Sequence, residues 1–298
     1  MTAVPVASAP LVLGGRTFDA RRPAVMGIIN RTPDSFFSAA RFASLDAALA
    51  RAREMVAEGV DLIDVGGVRA GQEGGWVDEA EEIDRVRPLL RALRDELPGV
   101  VTSLDTWRAE VADACAGLVD LVNDTWAGAD PALVDVAARL GAGYVVSHTG
   151  GLPPRTDPVG IDYGAGDDAV VEDVLRVLAD GAARALAAGV RPDGVLVDPT
   201  LDFGKRTVDS LALVRATDRI VALGHPVLQA ISRKDFVGDT LDLPVDDRLE
   251  GTLAATAIAA WQGATVFRAH DVRATRRVLD MVASIRGDRP PARSERGR

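Results

Sequence analysis

This 298-residue sequence predicts an α/β fold, a closed TIM-type (β/α)8 barrel, on three observations. Short β-branched runs alternate with longer Ala/Leu/Arg/Glu stretches eight times, which is the repeat of a parallel barrel. The strand runs are continuously apolar, as parallel strands buried on both faces must be. Polar residues collect repeatedly just after the strand ends, where a barrel carries its chemistry. A doubly wound open sheet is the other arrangement this alternation allows.

The eight expected strands are 24–29, 62–65, 100–104, 118–122, 144–147, 194–197, 227–230 and 265–267. Ser44 can cap the first helix, whose apolar positions are Leu45, Leu49, Ala52, Met55 and Val56. Asp78 and Glu81 resemble a capping box for the second, where Ile83, Val86, Leu90, Leu93 and Leu97 share one face. Pro88 falls inside that helix and is expected to kink it. Further helices are expected near 107–116, 131–140, 168–188, 208–222, 247–261 and 273–285. Residues 1–22 read as a tail and strap, 23–286 as one barrel domain, and 287–298 as a basic tail. The ends, 1–10 and 287–298, are expected to be disordered.

Composition excludes several classes. A hydrophobic content of 47% provides for a sizeable core, and no apolar run reaches the ~20 residues of a membrane helix. The first ten residues lack the basic and apolar regions of a secretory signal. A net charge of -10 disfavours non-specific nucleic-acid binding, which needs surplus Lys and Arg. One cysteine, Cys115, makes no internal disulfide and fits a reducing cytoplasm as a buried spacer. Three histidines and one cysteine do not suit a closed zinc site.

The strand ends carry the candidate site. Asn30 and Asp34 follow the first strand, and Gly66, Gly67 and Arg69 the second. Asp105 follows the third, Asn123 and Asp124 the fourth, and His148 the fifth. Asp198 and Lys205 follow the sixth, Ser232, Arg233 and Lys234 the seventh, and Arg268 and His270 the eighth. Asp105, Asn123 and Asp198 can converge on a planar heterocycle such as a 2-amino-4-oxo ring, because carboxylates accept paired N–H bonds and an amide both donates and accepts. Lys234 can donate to the ring carbonyl. Taken singly, each also fits a helix cap or a loop bond; together they fit a ligand. Arg268, His270 and Asn30 suit an anion such as a phosphate or pyrophosphate. Metal held by Asn30 would be water-rich, as Mg²⁺ is when it bridges phosphates.

These residues carry a family likeness. "MGIINRTPDSF", "LIDVGG", "SLDT", "ND", "DPTLDFGK", "SRK" and "RAHDV" occur in this order. Together they resemble dihydropteroate synthase over nearly the whole of 25–285, and most of all the divergent second type of homologue found beside a normal copy in some actinobacteria. The resemblance implies a TIM barrel, a cytoplasmic homodimer and a role in folate biosynthesis. The family joins 4-aminobenzoate to 6-hydroxymethyl-7,8-dihydropterin diphosphate and expels pyrophosphate. On this likeness Asp105, Asn123 and Asp198 would hold the pterin, with Lys234 on its oxygen. Asn30 would contact Mg²⁺ and the leaving pyrophosphate, and Arg268 and His270 would clamp it. Phe203 and Ser232 would line the aminobenzoate approach. Asp34 is expected among the catalytic residues, with Asn30, Lys234, Arg268 and His270, and Arg69, His148 and Lys205 among the substrate-binding ones.

The departures fall mainly in the loops. Where the family usually reads GGESTRPG, this chain has "GGVRAG" at 66–71, with Arg69 standing in for the loop arginine. The first loop keeps Asp34, but Ser38 replaces a second Asp, and Ala39 and Ala40 replace a Gly pair. Thr200, Asp202 and Ala230 stand where glycines are usual, and "SHTGG" at 147–151 keeps His148 but loses the methionines on either side. A pterin-binding paralogue without synthase activity is therefore the alternative reading. Methyltetrahydrofolate methyltransferases share the pterin barrel and form a third. The Arg268–His270 pair and Lys234 argue against this third reading, as does the lack of anything like a cobalamin-binding domain.

Overall fold

The computed structural model describes residues 9–19, 21–31, 44–69, 71, 75–156, 161–293 and 295. The expected disorder of 1–8 and of the last residues lies outside them, as does Asp34. Strands β1 (Leu11–Leu13) and β2 (Arg16–Phe18) pair antiparallel, so the expected strap contains a hairpin. The barrel strands are β3 (Ala24–Asn30), β4 (Leu62–Gly66), β5 (Val101–Asp105), β6 (Leu121–Asn123), β7 (Gly143–Ser147), β8 (Val195–Asp198), β9 (Leu228–Gln229) and β10 (Val266–Ala269). Their order is β8-β7-β6-β5-β4-β3-β10-β9, all pairs parallel. A parallel bridge between Val197 and Val227 joins the two ends, with the Val197 amide donating to the Pro226 carbonyl at 3.0 Å. The eight-stranded barrel is thereby closed, rather than an open doubly wound sheet.

Alternation along each strand sorts side chains into two cores. Ala24, Met26, Leu62, Val101, Leu121, Val145, Leu196, Leu228 and Val266 fill the barrel interior. Leu11, Leu13 and Phe18 of the hairpin join the same cluster and plug its lower end. A Cβ on Gly143 would lie 2.5 Å from Leu13 Cδ2 and 2.8 Å from the Gly194 carbonyl oxygen, so only glycine lets the plug seat there. The opposite parity, with Val25, Ile29, Ile63, Val65 and Val146 among it, packs outward against the helices. Asp61, fully buried just before β4, anchors the lower end. Its carboxylate accepts from Arg16 (2.8 Å), Arg22 (3.0 Å), Arg276 (3.2 Å) and the Val25 amide (3.1 Å).

The helices are α1 (Leu45–Glu58), α2 (Glu79–Glu96), α3 (Ala109–Ala114), α4 (Leu133–Leu140), α5 (Asp167–Ala188), α6 (Thr207–Arg215), α7 (Thr217–Val221), α8 (Asp235–Leu241), α9 (Leu249–Trp261) and α10 (Val272–Arg286). Ser44 caps α1 by accepting from the Ala47 amide at 3.1 Å, and Asp78 caps α2 by accepting from the Glu81 amide at 2.8 Å. The Glu81 carboxylate pairs with Arg85. Helix α2 runs unbroken through Pro88. The single helix expected over 208–222 is two, divided at Ala216. There the Thr217 hydroxyl donates back to the Val214 carbonyl (3.0 Å) and accepts from Gln229 (3.1 Å), which fixes the break. Helix α8 was not expected from the sequence. Its first amide is held by Asp202 at 2.7 Å, a long-range contact no local pattern announces. Cys115 is buried beside α3, and burial pushes its thiol up to about 11.

Candidate active site

The strand register builds one continuous polar row. Asn30 pairs with Gly66, Gly66 with Asp105, and Asp105 with Asn123, each on the adjacent strand at the C-terminal end. Gly66 leaves space in the row: a Cβ there would lie 3.1 Å from Asn30 Oδ1 and 3.6 Å from Asp105 Oδ2. One step around the barrel, Asp198 pairs with Ser147.

Beneath this row lies a buried carboxylate that the sequence reading did not single out. Asp64 accepts from Ser103 Oγ (2.6 Å), Asn123 Nδ2 (3.1 Å) and Arg268 Nε (2.7 Å). Its signal was present in "LIDVGG": Asp64 shares the inward parity of Leu62 in a fully buried strand. Asp64 fixes the Asn123 amide so that its nitrogen faces Asp64. Arg268 spans the interior and also donates to Asp105 Oδ2 at 2.8 Å. Burial works against the Arg268 charge, but Asp64 and Asp105 outweigh it and raise its pKa. Burial raises the Asp105 carboxyl, against the pull of Arg268.

Asp198 is buried, and burial raises its pKa against the Thr200 amide and the nearby Lys234. The Thr200 amide takes Asp198 Oδ1 at 2.6 Å. Lys234 directs its ammonium at the Leu201 carbonyl and lies 4.6 Å from the centre of the Phe203 ring. Phe203 meets Trp126 edge to face at 5.2 Å. Ser232 Oγ accepts from the His270 amide at 3.1 Å and lies 3.0 Å from His270 Nδ1. Burial and the Arg268 charge lower His270 to about 4, so its ring is neutral at pH 7.

Asn30, Asp105, Asn123, Asp198, Phe203, Ser232, Lys234, Arg268 and His270 thus gather at one end of the barrel. Two expected residues point elsewhere. Lys205 is buried with three carbonyl partners: His148 (2.8 Å), Phe203 (2.9 Å) and Thr200 (3.0 Å). Its ammonium fastens the loop after β8 to the end of β7 rather than facing the mouth. His148 follows Ser147 and takes the outward parity, buried against α5 with Nε2 2.9 Å from Asp173. Its contact is with the helix layer, not the barrel mouth. Arg69 is half-buried in the loop after β4. Arg155, unremarked in the sequence, reaches across to the carbonyls of Gly71 (3.3 Å) and Gly75 (3.2 Å).

Burial, and then the Lys205 charge, lower His148 to about 4, so the neutral ring donates Nε2–H to Asp173. A histidine whose folded pKa is depressed favours folding fully above its unfolded value of about 6.5, and that contribution is lost as pH falls toward 4. The slope from this one group is at most about 1.4 kcal/mol per pH unit. NMR titration is expected to give a His148 midpoint near 4; a midpoint near 6.5 contradicts the buried, neutral assignment.

The described residues hold no cluster of three His, Cys, Asp or Glu able to chelate a metal. The mouth offers a cation the Asn30 amide oxygen, with Asp105 beside it. Such a donor set fits only a hard ion that completes its shell with water and ligand oxygens, which is the habit of Mg²⁺.

A family model described as pterin binding enzyme matches residues 26–270, almost the entire barrel. The chain belongs to the pterin-binding enzyme family. Within that family, a Mycobacterium leprae protein named inactive dihydropteroate synthase 2 is 55% identical over 287 residues, covering 96% of this chain and 98% of that one. A Coxiella burnetii dihydropteroate synthase solved with pteroic acid superposes with a TM-score of 0.83 at 30% identity, covering 94% of this chain and 99% of the other. A Xanthomonas albilineans dihydropteroate synthase solved with 4-aminobenzoic acid gives 0.82 at 33%, covering 93% and 98%. This pterin-family barrel is therefore dihydropteroate synthase-like in both sequence and fold.

Proposed function

We propose that this chain binds 6-hydroxymethyl-7,8-dihydropterin diphosphate at the barrel mouth and, like the synthases it resembles, serves its condensation with 4-aminobenzoate. The polar row carries the reading. Asp105, Asn123 and Asp198 present acceptors from three strand ends, and Lys234 supplies the donor for a ring carbonyl. Asn30, Arg268 and His270 face the diphosphate. In the reaction the arylamine nitrogen forms a bond to the exocyclic methylene as the carbon–oxygen bond to diphosphate breaks. The amine proton passes to solvent and diphosphate departs. These side chains orient the ring and stabilise the leaving charge, so no side-chain nucleophile is required. Mg²⁺, when bound, would neutralise diphosphate charge beside Asn30.

A homodimer belongs to the same proposal. Ile258 and Trp261 of α9 and Met281 and Ile285 of α10 lie exposed on neighbouring helices, an apolar face suited to a second copy. Light scattering is expected to give twice the chain mass of 31.3 kDa. A cytoplasmic setting fits the single buried cysteine, and among the described residues no helix is long and apolar enough to cross a membrane.

A second reading is a pterin-binding paralogue that does not complete the condensation. One observation favours it: the Mycobacterium leprae relative, far more similar than the named synthases above, is called inactive. An assay with both substrates and Mg²⁺ separates the readings. The synthase reading expects dihydropteroate and pyrophosphate above an Asp105→Ala control, abolished by EDTA and restored by Mg²⁺. Tight pterin binding with no product supports the second reading instead.

A further inference from the structure

Resting on the pterin reading, we infer that Ser147 is a ligand-contacting residue whose hydroxyl bonds the heterocycle beside the edge held by Asp198. Ser147 ends β7 and pairs directly with Asp198 on β8. It shares inward parity with Val145, which lies in the barrel interior, while Val146 packs outward. The residue is 2% exposed, yet Oγ has no hydrogen-bond partner within the protein.

The neighbouring groups bond elsewhere within the protein, and none of them pairs with Ser147. Asp198 Oδ1 takes the Thr200 amide, and the Asp198 carbonyl takes the Thr200 hydroxyl at 3.1 Å. The Thr200 hydroxyl in turn accepts from the His148 amide at 3.2 Å. Lys205 and Lys234 donate to carbonyls. The Ser147 hydroxyl, on the inward parity, is left without a protein partner. An unsatisfied buried hydroxyl is costly, so a polar ligand atom is its natural complement. A hydroxyl both donates and accepts, and so suits a ring nitrogen with or without its proton. This position therefore tunes the mouth toward a heterocycle with a polar atom on the side facing β7.

Fluorescence titration with 6-hydroxymethylpterin, on the full chain, tests the inference. Ser147→Ala is expected to bind about 3- to 10-fold more weakly, the worth of one hydrogen bond. Ser147→Thr, which keeps the hydroxyl, is expected to retain most of the affinity. The unliganded melting temperature of Ser147→Ala is expected to stay level or rise, because no protein bond is lost. Equal affinity for wild type and Ser147→Ala overturns the inference and leaves the pterin reading intact. So does a clear fall in unliganded melting temperature, which marks a structural hydroxyl. Failure of the wild type to bind the probe overturns the pterin reading and this inference with it.

Discussion

Asp198→Ala is expected to weaken 6-hydroxymethylpterin binding by about 100-fold, the loss of one or two charge-assisted hydrogen bonds to ring N–H groups. The side chain is buried on the inward parity, and the Thr200 amide donates to its Oδ1, so the proposed ligand acceptor is Oδ2. Burial raises its pKa against the pull of the Thr200 amide and the nearby Lys234. Its removal costs one turn bond and relieves one buried charge, so the unliganded melting temperature is expected to change little. Asp198→Asn is expected to fall between the two, since an amide oxygen still accepts but without the charge. A titration in which Asp198→Ala matches the wild type would remove Asp198 from the ligand site.

Asp61→Ala is expected to cost about 3 kcal/mol of stability, through the opposite end of the barrel. Asp61 is fully buried and pairs with three guanidinium groups, from the hairpin, the segment before β3 and α10. Arg276 is the critical partner. Its side chain is 10% exposed, against 33% for Arg16 and 59% for Arg22. Without Asp61, Arg22 turns to water and the half-buried Arg16 keeps the backbone carbonyls of position 61 and Gly99, but Arg276 keeps only Asp280 and the Pro23 carbonyl. Leaving a buried charge short of its partner is far more costly than losing a surface pair. Chemical denaturation reads this directly. A loss below about 1 kcal/mol would mean that hydrophobic packing of Leu11, Leu13 and Phe18 alone seats the plug.

The barrel was legible because strand burial on both faces leaves long apolar runs, and each of the eight expected runs overlaps an observed barrel strand. Parity then made the mouth legible: Asn30, Asp105, Asn123 and Asp198 sit where a strand ends and a loop begins. What the sequence did not disclose depends on contacts distant in the chain. Asp64 looks like an isolated charge until Arg268, 204 residues away, is folded against it. Lys205 has the spacing of a site residue but is consumed by three carbonyls. His148 sits one residue beyond an inward position, and in a strand one residue is the difference between cavity and helix layer. Thr200 and Asp202 replace family glycines at φ 50° and 70°, and each uses its side chain to brace the turn. That bracing is a tertiary fact with no local pattern.

On the proposed reading, the mouth formed by Asp105, Asn123 and Asp198 holds the pterin ring of a dihydropterin diphosphate. A crystal structure of the chain with 6-hydroxymethyl-7,8-dihydropterin diphosphate tests it most directly. The ring is expected inside the barrel with its N–H edge on those three residues, its carbonyl toward Lys234, and the diphosphate toward Asn30, Arg268 and His270. A ring seated instead in the separate cavity of about 660 Å³ lined by Trp126, His148, Asp173 and Arg176, or an empty mouth at saturating ligand, would contradict it.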